Sequence, residues 1–174
     1  MSYVSQLPKV RMPGGVMFLP QYWGQTGSEG TASILAGTAN LAYYHFFVAP
    51  YTTAIVSMSF YCISGTDNHD LGVYSADGAR KLGSRGSTAT TAAVVNTWTP
   101  ATSLPIQGGV GYWAAFATAG TKLIQRITGS SNRSHTLGGG MAKQASALPL
   151  PATLTLAPFD TETLVPILTL TLAT

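Results

Sequence analysis

Charge is what this chain has least of. Asp, Glu, Lys and Arg make up 9% of its 174 residues, where an ordinary soluble domain carries roughly 25%. Thr, Ser and Gly take the polar role instead, a mix that suits pleated sheet surfaces and turns. A neutral exterior does little to keep free copies apart in water. It fits a surface that lies against neighbouring subunits. The net charge of +3 is spread over nine basic residues. Their densest group, Arg80, Lys81 and Arg85, has no interleaved aromatics, so a nucleic-acid partner is not expected.

Cysteine occurs once, which excludes an internal disulfide and any Cys-rich metal centre. Cys62 stands in an apolar run and reads as a small buried hydrophobe rather than a nucleophile. No apolar run approaches the ~18 residues of a membrane helix. Alternating strands are compatible with an outer-membrane barrel, but "MSYVSQLPKVRMPGG" carries no export signal, so membrane insertion is not expected. Catalytic signatures are missing too. There is no G-x-S-x-G elbow, and "GQTGSEGT" matches neither a Walker loop nor a dinucleotide fingerprint. The six acids are Glu29, Asp67, Asp70, Asp77, Asp160 and Glu162. All fall in expected turns or loops, without the paired carboxylates a glycosidase uses. The chain is therefore expected to be non-catalytic and to hold no cofactor and no resident metal.

What is present is a period of two. "TAIVSMSFYCI" (Thr53 to Ile63) puts Val56, Met58, Phe60 and Cys62 on one face and Ser57, Ser59 and Tyr61 on the other. "LAYYHFFVA" (Leu41 to Ala49) is apolar on both faces and reads as a central strand ended by Pro50. "GYWAAFATA" and "KLIQRI" flank Gly120 and are expected to pair as a hairpin. Thr88 to Trp98 reads as one β-branched strand. "VMFL", "TASIL", "ATLTL" and "ILTLTL" add further candidates, while "MAKQASAL" allows at most one helical turn. These runs predict a single all-β domain over residues 1–174, an antiparallel two-sheet sandwich of about nine or ten strands. The segments near 1–30 and 145–174 are expected to contribute to subunit contacts.

Thr66 to Arg85, "TDNHDLGVYSADGARKLGSR", holds six of the charged residues, while none lies between Gly30 and Thr66 or between Gly86 and Thr121. "LGVY" and "ARKL" are expected to form a hairpin closed by Ser75-Ala76-Asp77-Gly78, with Gly78 left-handed. Leu71, Val73 and Leu82 would face the core, and Asp77, Arg80 and Lys81 would be exposed at the tip. Asp67, Asn68, His69 and Asp70 include oxygen and imidazole donors, but consecutive ligands seldom converge on one ion, and a plain polar turn is the simpler reading. His45, in an aromatic strand, reads as a core or interface residue. Tyr22, Trp23 and Trp98 are the candidate contacts for a subunit or a sugar ring, because flat aromatic faces serve both. Trp113 alternates within a buried-looking strand.

The order of these features resembles that of β-sandwich modules in bacteriophage virion proteins. In those, a "G-(I/V)-Y-x-x-x-G" hairpin precedes an "L-x-x-G-x-Y-(W/Y)-x-A" strand. The matching positions are Gly72, Val73, Tyr74 and Gly78, then Leu104, Gly111, Tyr112, Trp113 and Ala115. The likeness covers roughly Asn40 to Thr118 and departs from the pattern by the extended "PIQGGVG". It implies a jelly-roll-like module on a phage particle, in a tail fibre, baseplate or head decoration. Such a module is often a trimer that contacts other virion proteins. A host-surface glycan bound through exposed aromatics is the alternative it leaves open.

Overall fold

The computed structural model describes residues 15–19, 29–35, 41–128, 141–145, 148–155, 157–158 and 164–174. Its strands are β1 (Val16–Leu19), β2 (Glu29–Leu35), β3 (Leu41–Val48), β4 (Thr53–Ser64) and β5 (Asn68–Ser75). There follow β6 (Lys81–Ser84), β7 (Thr88–Ala89), β8 (Val94–Trp98), β9 (Leu104–Ile106) and β10 (Gly111–Thr118). The last are β11 (Thr121–Thr128), β12 (Met141–Gln144), β13 (Ala157–Pro158), β14 (Leu164–Pro166) and β15 (Leu168–Leu172). No helix occurs among the described residues. One sheet has eight strands ordered β1-β15-β4-β11-β14, with β2 on β11 and with β8 and β9 on β4. The other has seven, ordered β13-β12-β3-β10-β5-β6, with β7 on β5. The pairings are antiparallel, and the chain is the two-sheet all-β protein its alternation implies.

Inward side chains of both sheets meet in one core that includes Tyr43, Phe47, Ile55, Met58, Phe60, Leu71, Val73, Phe116 and Leu170. Each large apolar side chain taken fully from water contributes about 1.5–3 kcal/mol. Phe60 and Phe116 face each other across the sheets with ring centroids 4.7 Å apart, a geometry that adds to simple area burial. Leu71 and Val73 sit in this core as expected, with Leu82 packed at its margin.

A second apolar cluster lies on the opposite face of the seven-stranded sheet. Ala42, Tyr44, Tyr74, Ala115, Ala117 and Ala142 form a floor on which Leu150 is buried, with Leu148, Leu154 and Trp113 packed around it. The segment Leu148–Thr155 thus runs across the sheet as a strap. Gly72 makes room for it, since a Cβ there would come within 2.8 Å of Leu150 Cδ1. Strap main-chain groups carry the polar contacts. Leu150 N donates to Asp70 Oδ2 at 3.0 Å, Tyr74 Oη to Pro151 O at 2.7 Å, and Lys81 Nζ to Leu150 O at 2.7 Å.

Several expectations are corrected. β10 and β11 do not pair as a hairpin: Gly120, at φ +77°, carries the chain from the seven-stranded sheet to the eight-stranded one. The Asp67 carboxylate occupies the space where a Gly120 side chain would be. Thr88 to Trp98 is two strands, because Ala93 adopts φ 61° and breaks the run. Met141–Gln144 is strand, not helical turn, and Ala152–Thr155 of "ATLTL" is part of the strap rather than a strand. In β4 the register slips opposite Thr171 and Leu172, so Ile55 is buried and Val56 only half-buried. A β-bulge of this kind exchanges the two faces for everything beyond it. Apart from these corrections, strands β1 and β15 of the terminal segments pair within the eight-stranded sheet. β1 pairs with β15, and β15 pairs with β4.

Candidate functional site: the charged hairpin, the buried polar cluster and the uncharged face

The hairpin forms as its sequence implies. Gly78 takes φ +70° and its N–H donates to Ser75 O at 2.9 Å. Asp77 Oδ1 accepts from Ser75 Oγ at 2.6 Å and from Ala79 N at 3.0 Å, and these bonds hold its carboxyl below the usual range. Asp77 and Arg80 are exposed. Lys81 is a correction. It is half-buried, its ammonium engaged with the strap carbonyl of Leu150.

His69 and Asp70 do not form a surface turn. They are fully buried in β5 and, because strand side chains alternate, they point to opposite faces. Asp70 serves the strap side, its Oδ1 accepting from Gly86 N at 2.8 Å and its Oδ2 from Leu150 N. His69 serves the core side, its ring edge-on to Phe60 at 4.9 Å. An arginine can only donate, so Arg85 Nη1, 3.2 Å from His69 Nε2, fixes the proton on Nδ1. Nδ1–H then donates to Thr90 Oγ1 at 2.9 Å. Thr90 Oγ1 donates to Asp67 O at 2.6 Å and accepts from Lys122 Nζ at 2.7 Å, and Lys122 Nζ also reaches Asp67 O. Burial lowers the His69 pKa to about 4, with Arg85 and Lys122 adding to it, and burial lowers that of Lys122 as well. Burial pushes the Cys62 thiol up, and its Sγ faces Ser64 O.

This cluster ties the start of β5, the Arg85–Thr90 stretch and β11 together. Both His69 nitrogens are engaged, so the residue ligates no metal without losing a bond. Among the described residues no three His, Cys, Asp or Glu side chains group as a metal site. Asp67 and Asp77 flank β5, ten residues apart and so roughly 25–30 Å along an extended chain. That is far beyond the ~5–10 Å of a glycosidase pair. Asp160 and Glu162 lie outside the described residues, as does the Glu29 side chain.

His45 is the other buried imidazole. It is 1% exposed, it lies opposite Ala114 and Met141, and neither ring nitrogen has a partner among the described residues. Burial lowers its pKa to about 3. Nothing in the run Leu41 to Ala49 signals that its nitrogens are orphaned.

The aromatic candidates divide differently from expectation. Trp98 is a correction: it is a core residue, 7% exposed, with its ring against Gly83, and it offers no face to a sugar or a subunit. Tyr22 and Trp23 lie outside the described residues. Trp113, expected to be buried, is instead half-buried on the outer face of its sheet, where Nε1 donates to Ala76 O at 2.9 Å. The signal for this was available, since Trp113 alternates with Tyr112 and Ala114 and must face away from them.

The outer face of the eight-stranded sheet carries the other surface feature. β1, β4, β8, β9 and β15 contain no Asp, Glu, Lys or Arg. Thr169, Ser59 and Thr97 line up across three strands, and Tyr61 pairs with Val95 beside them. Tyr61 is 38% exposed and Val95 57%. The two resemblance motifs, distant in sequence, are adjacent in space: Gly72, Val73 and Tyr74 pair with Ala115, Ala114 and Trp113. No family model matches the chain, and no curated protein matches it.

Proposed function

We propose that this chain is a non-catalytic structural subunit of a bacteriophage virion, displayed on a head, baseplate or fibre and acting through protein–protein interfaces. The observation that carries the proposal is the outer face of β1, β4, β8, β9 and β15, five strands of one sheet without a charged residue. A broad β-surface without charge, with Tyr61 and Val95 exposed on it, is a poor boundary with water and a good one with another protein. A second copy of the chain is the natural cover, because an uncharged face meets its equal without desolvating ions. The phage resemblance adds support, since its two motifs form one paired unit in β5 and β10. The jelly-roll assignment belongs to the same proposal. Successive long strands β3, β4, β5, β8, β10 and β11 alternate between the sheets, as they do in that architecture.

Mass measurement in solution tests it. The expected result is a homo-oligomer, a trimer by the resemblance, that Val95→Lys dissociates without loss of β-sheet signal. A chain that stays monomeric at high concentration and shows no affinity for phage particles would remove the proposal.

A further inference from the structure

The geometry points to a carbohydrate-binding platform on the outer face of the seven-stranded sheet, built from Trp113, Phe46, Asp77 and Arg80, that takes one pyranose unit of a neutral glycan. Three features at the end of this sheet meet the chemistry of a sugar ring. A pyranose presents an apolar face of C–H groups, surrounded by a rim of hydroxyls that both donate and accept. It therefore needs a flat, immobile apolar surface with polar groups at its edge.

The surface is Trp113. Its indole is half-buried and fixed from two sides, by the Nε1–H bond to Ala76 O and by an edge-on contact with Phe46 at 5.1 Å and 66°. The two residues are direct partners in the β3–β10 register. Gly111, the next outward position on β10, has no side chain, and the Phe46 ring takes that space. Phe46 and Trp113 thus remain half-buried, Trp113 at the margin of the cluster that the strap covers.

The polar rim is the hairpin tip. Asp77 is one residue from the carbonyl that anchors the indole, and Arg80 closes the same turn. Both of the Asp77 bonds to its own turn fall on Oδ1, which leaves Oδ2 to accept from hydroxyls. Arg80 is exposed, and its backbone rather than its guanidinium makes the hairpin bonds, which leaves the planar fork to donate to them. The bonds that hold the turn use Asp77 Oδ1 and the Arg80 backbone, not Asp77 Oδ2 or the Arg80 guanidinium. Ser75 and Gly78 already close it.

The platform and the virion proposal stand or fall separately. An oligomer that ignores sugars refutes only the platform, and a monomer that binds one refutes only the virion role. The test follows the indole N–H resonances of the isotopically labelled full chain by NMR. The probes are the methyl glycosides of glucose, galactose, mannose and N-acetylglucosamine, each titrated to about 50 mM, since a single-ring contact of this size binds in the millimolar range. The expected result is a saturable shift of the Trp113 indole with at least one glycoside. Its affinity should fall about tenfold in Trp113→Ala and severalfold in Asp77→Ala and Arg80→Ala. Should Trp113→Ala fail to fold, Arg80→Ala, an exposed position, carries the test. No shift with any of the four, or binding indifferent to the hairpin variants, overturns the platform.

Discussion

Replacing His45 by leucine should stabilise this protein and make it less sensitive to acid. The unfolded chain protonates His45 near pH 6.5, whereas the folded chain holds it neutral down to about pH 3, because the ring is buried and nothing accepts from or donates to it. Below pH 6.5 the unfolded state therefore binds a proton that the native state refuses, and stability falls as pH falls. The loss from this one residue is about 2 kcal/mol at pH 5 and roughly 3 kcal/mol at pH 4. Among the described residues no carboxylate or acceptor offsets the burial. The residues paired with His45 are Ala114 and Met141, and its neighbours on the same face of β3 are Tyr43 and Phe47. His69, lowered to about 4 with Arg85 beside it, acts in the same direction, so the wild type should lose more than His45 alone accounts for. Urea unfolding at pH 8, 6 and 5 measures both terms. At pH 8 the His45→Leu variant should be at least as stable as wild type, since two orphaned buried nitrogens cost about 1–3 kcal/mol each at most. Between pH 8 and 5 it should lose about 2 kcal/mol less than wild type. If the two proteins fall in parallel as pH drops, His45 is not neutral and unpartnered in the native state.

Three further outcomes follow from the packing. Phe116→Ala empties a fully buried site against Phe60 and should cost about 3–5 kcal/mol in the same urea assay. Gly72→Val should lift the strap off the sheet, because its side chain would need the volume of Leu150. Hydrogen exchange at Leu150 and Leu154 should rise well before the amides of β10 respond. Asp70→Ala leaves the N–H groups of Gly86 and Leu150 without their acceptor, and should destabilise by about 1–3 kcal/mol. A drop in melting temperature shared by the strap and the β6–β7 turn would report it.

The fold class was legible because alternation survives in the long strands. β4 and β15 were visible as runs whose inward positions are the buried ones, and β3 and β10 as apolar runs that are buried on both faces. What misled was everything that interrupts a period. The β4 bulge exchanges Ile55 and Val56, and Ala93 breaks a β-branched run through a backbone angle that no composition announces. Gly120 looked like a hairpin turn because a tight glycine turn and a change of sheet use the same left-handed residue; the partner strand decides, and it is far away in sequence. The site was legible only in part. Charge at Thr66–Arg85 was plain, but strand alternation places His69 and Asp70 inside, and their partners Thr90, Lys122 and Leu150 come from distant segments. Trp98 and Trp113 traded expected places because aromatic content says nothing about which side of a strand is covered.

The position of β15 has a consequence in time rather than space. It is the last described strand to emerge in synthesis, yet it lies between β1, the first, and β4. Until it arrives, β1 lacks its described partner and one edge of β4 stands open along Ile55–Ser59, so a growing chain presents uncharged strands with open edges. Sequence-distant closure of this kind is slow, on the order of milliseconds to seconds. During that interval the same scarcity of charge that suits an assembled surface leaves the nascent molecule little to repel its neighbours. Refolding followed by Trp98 fluorescence should accordingly be slow, and its yield should fall as concentration rises.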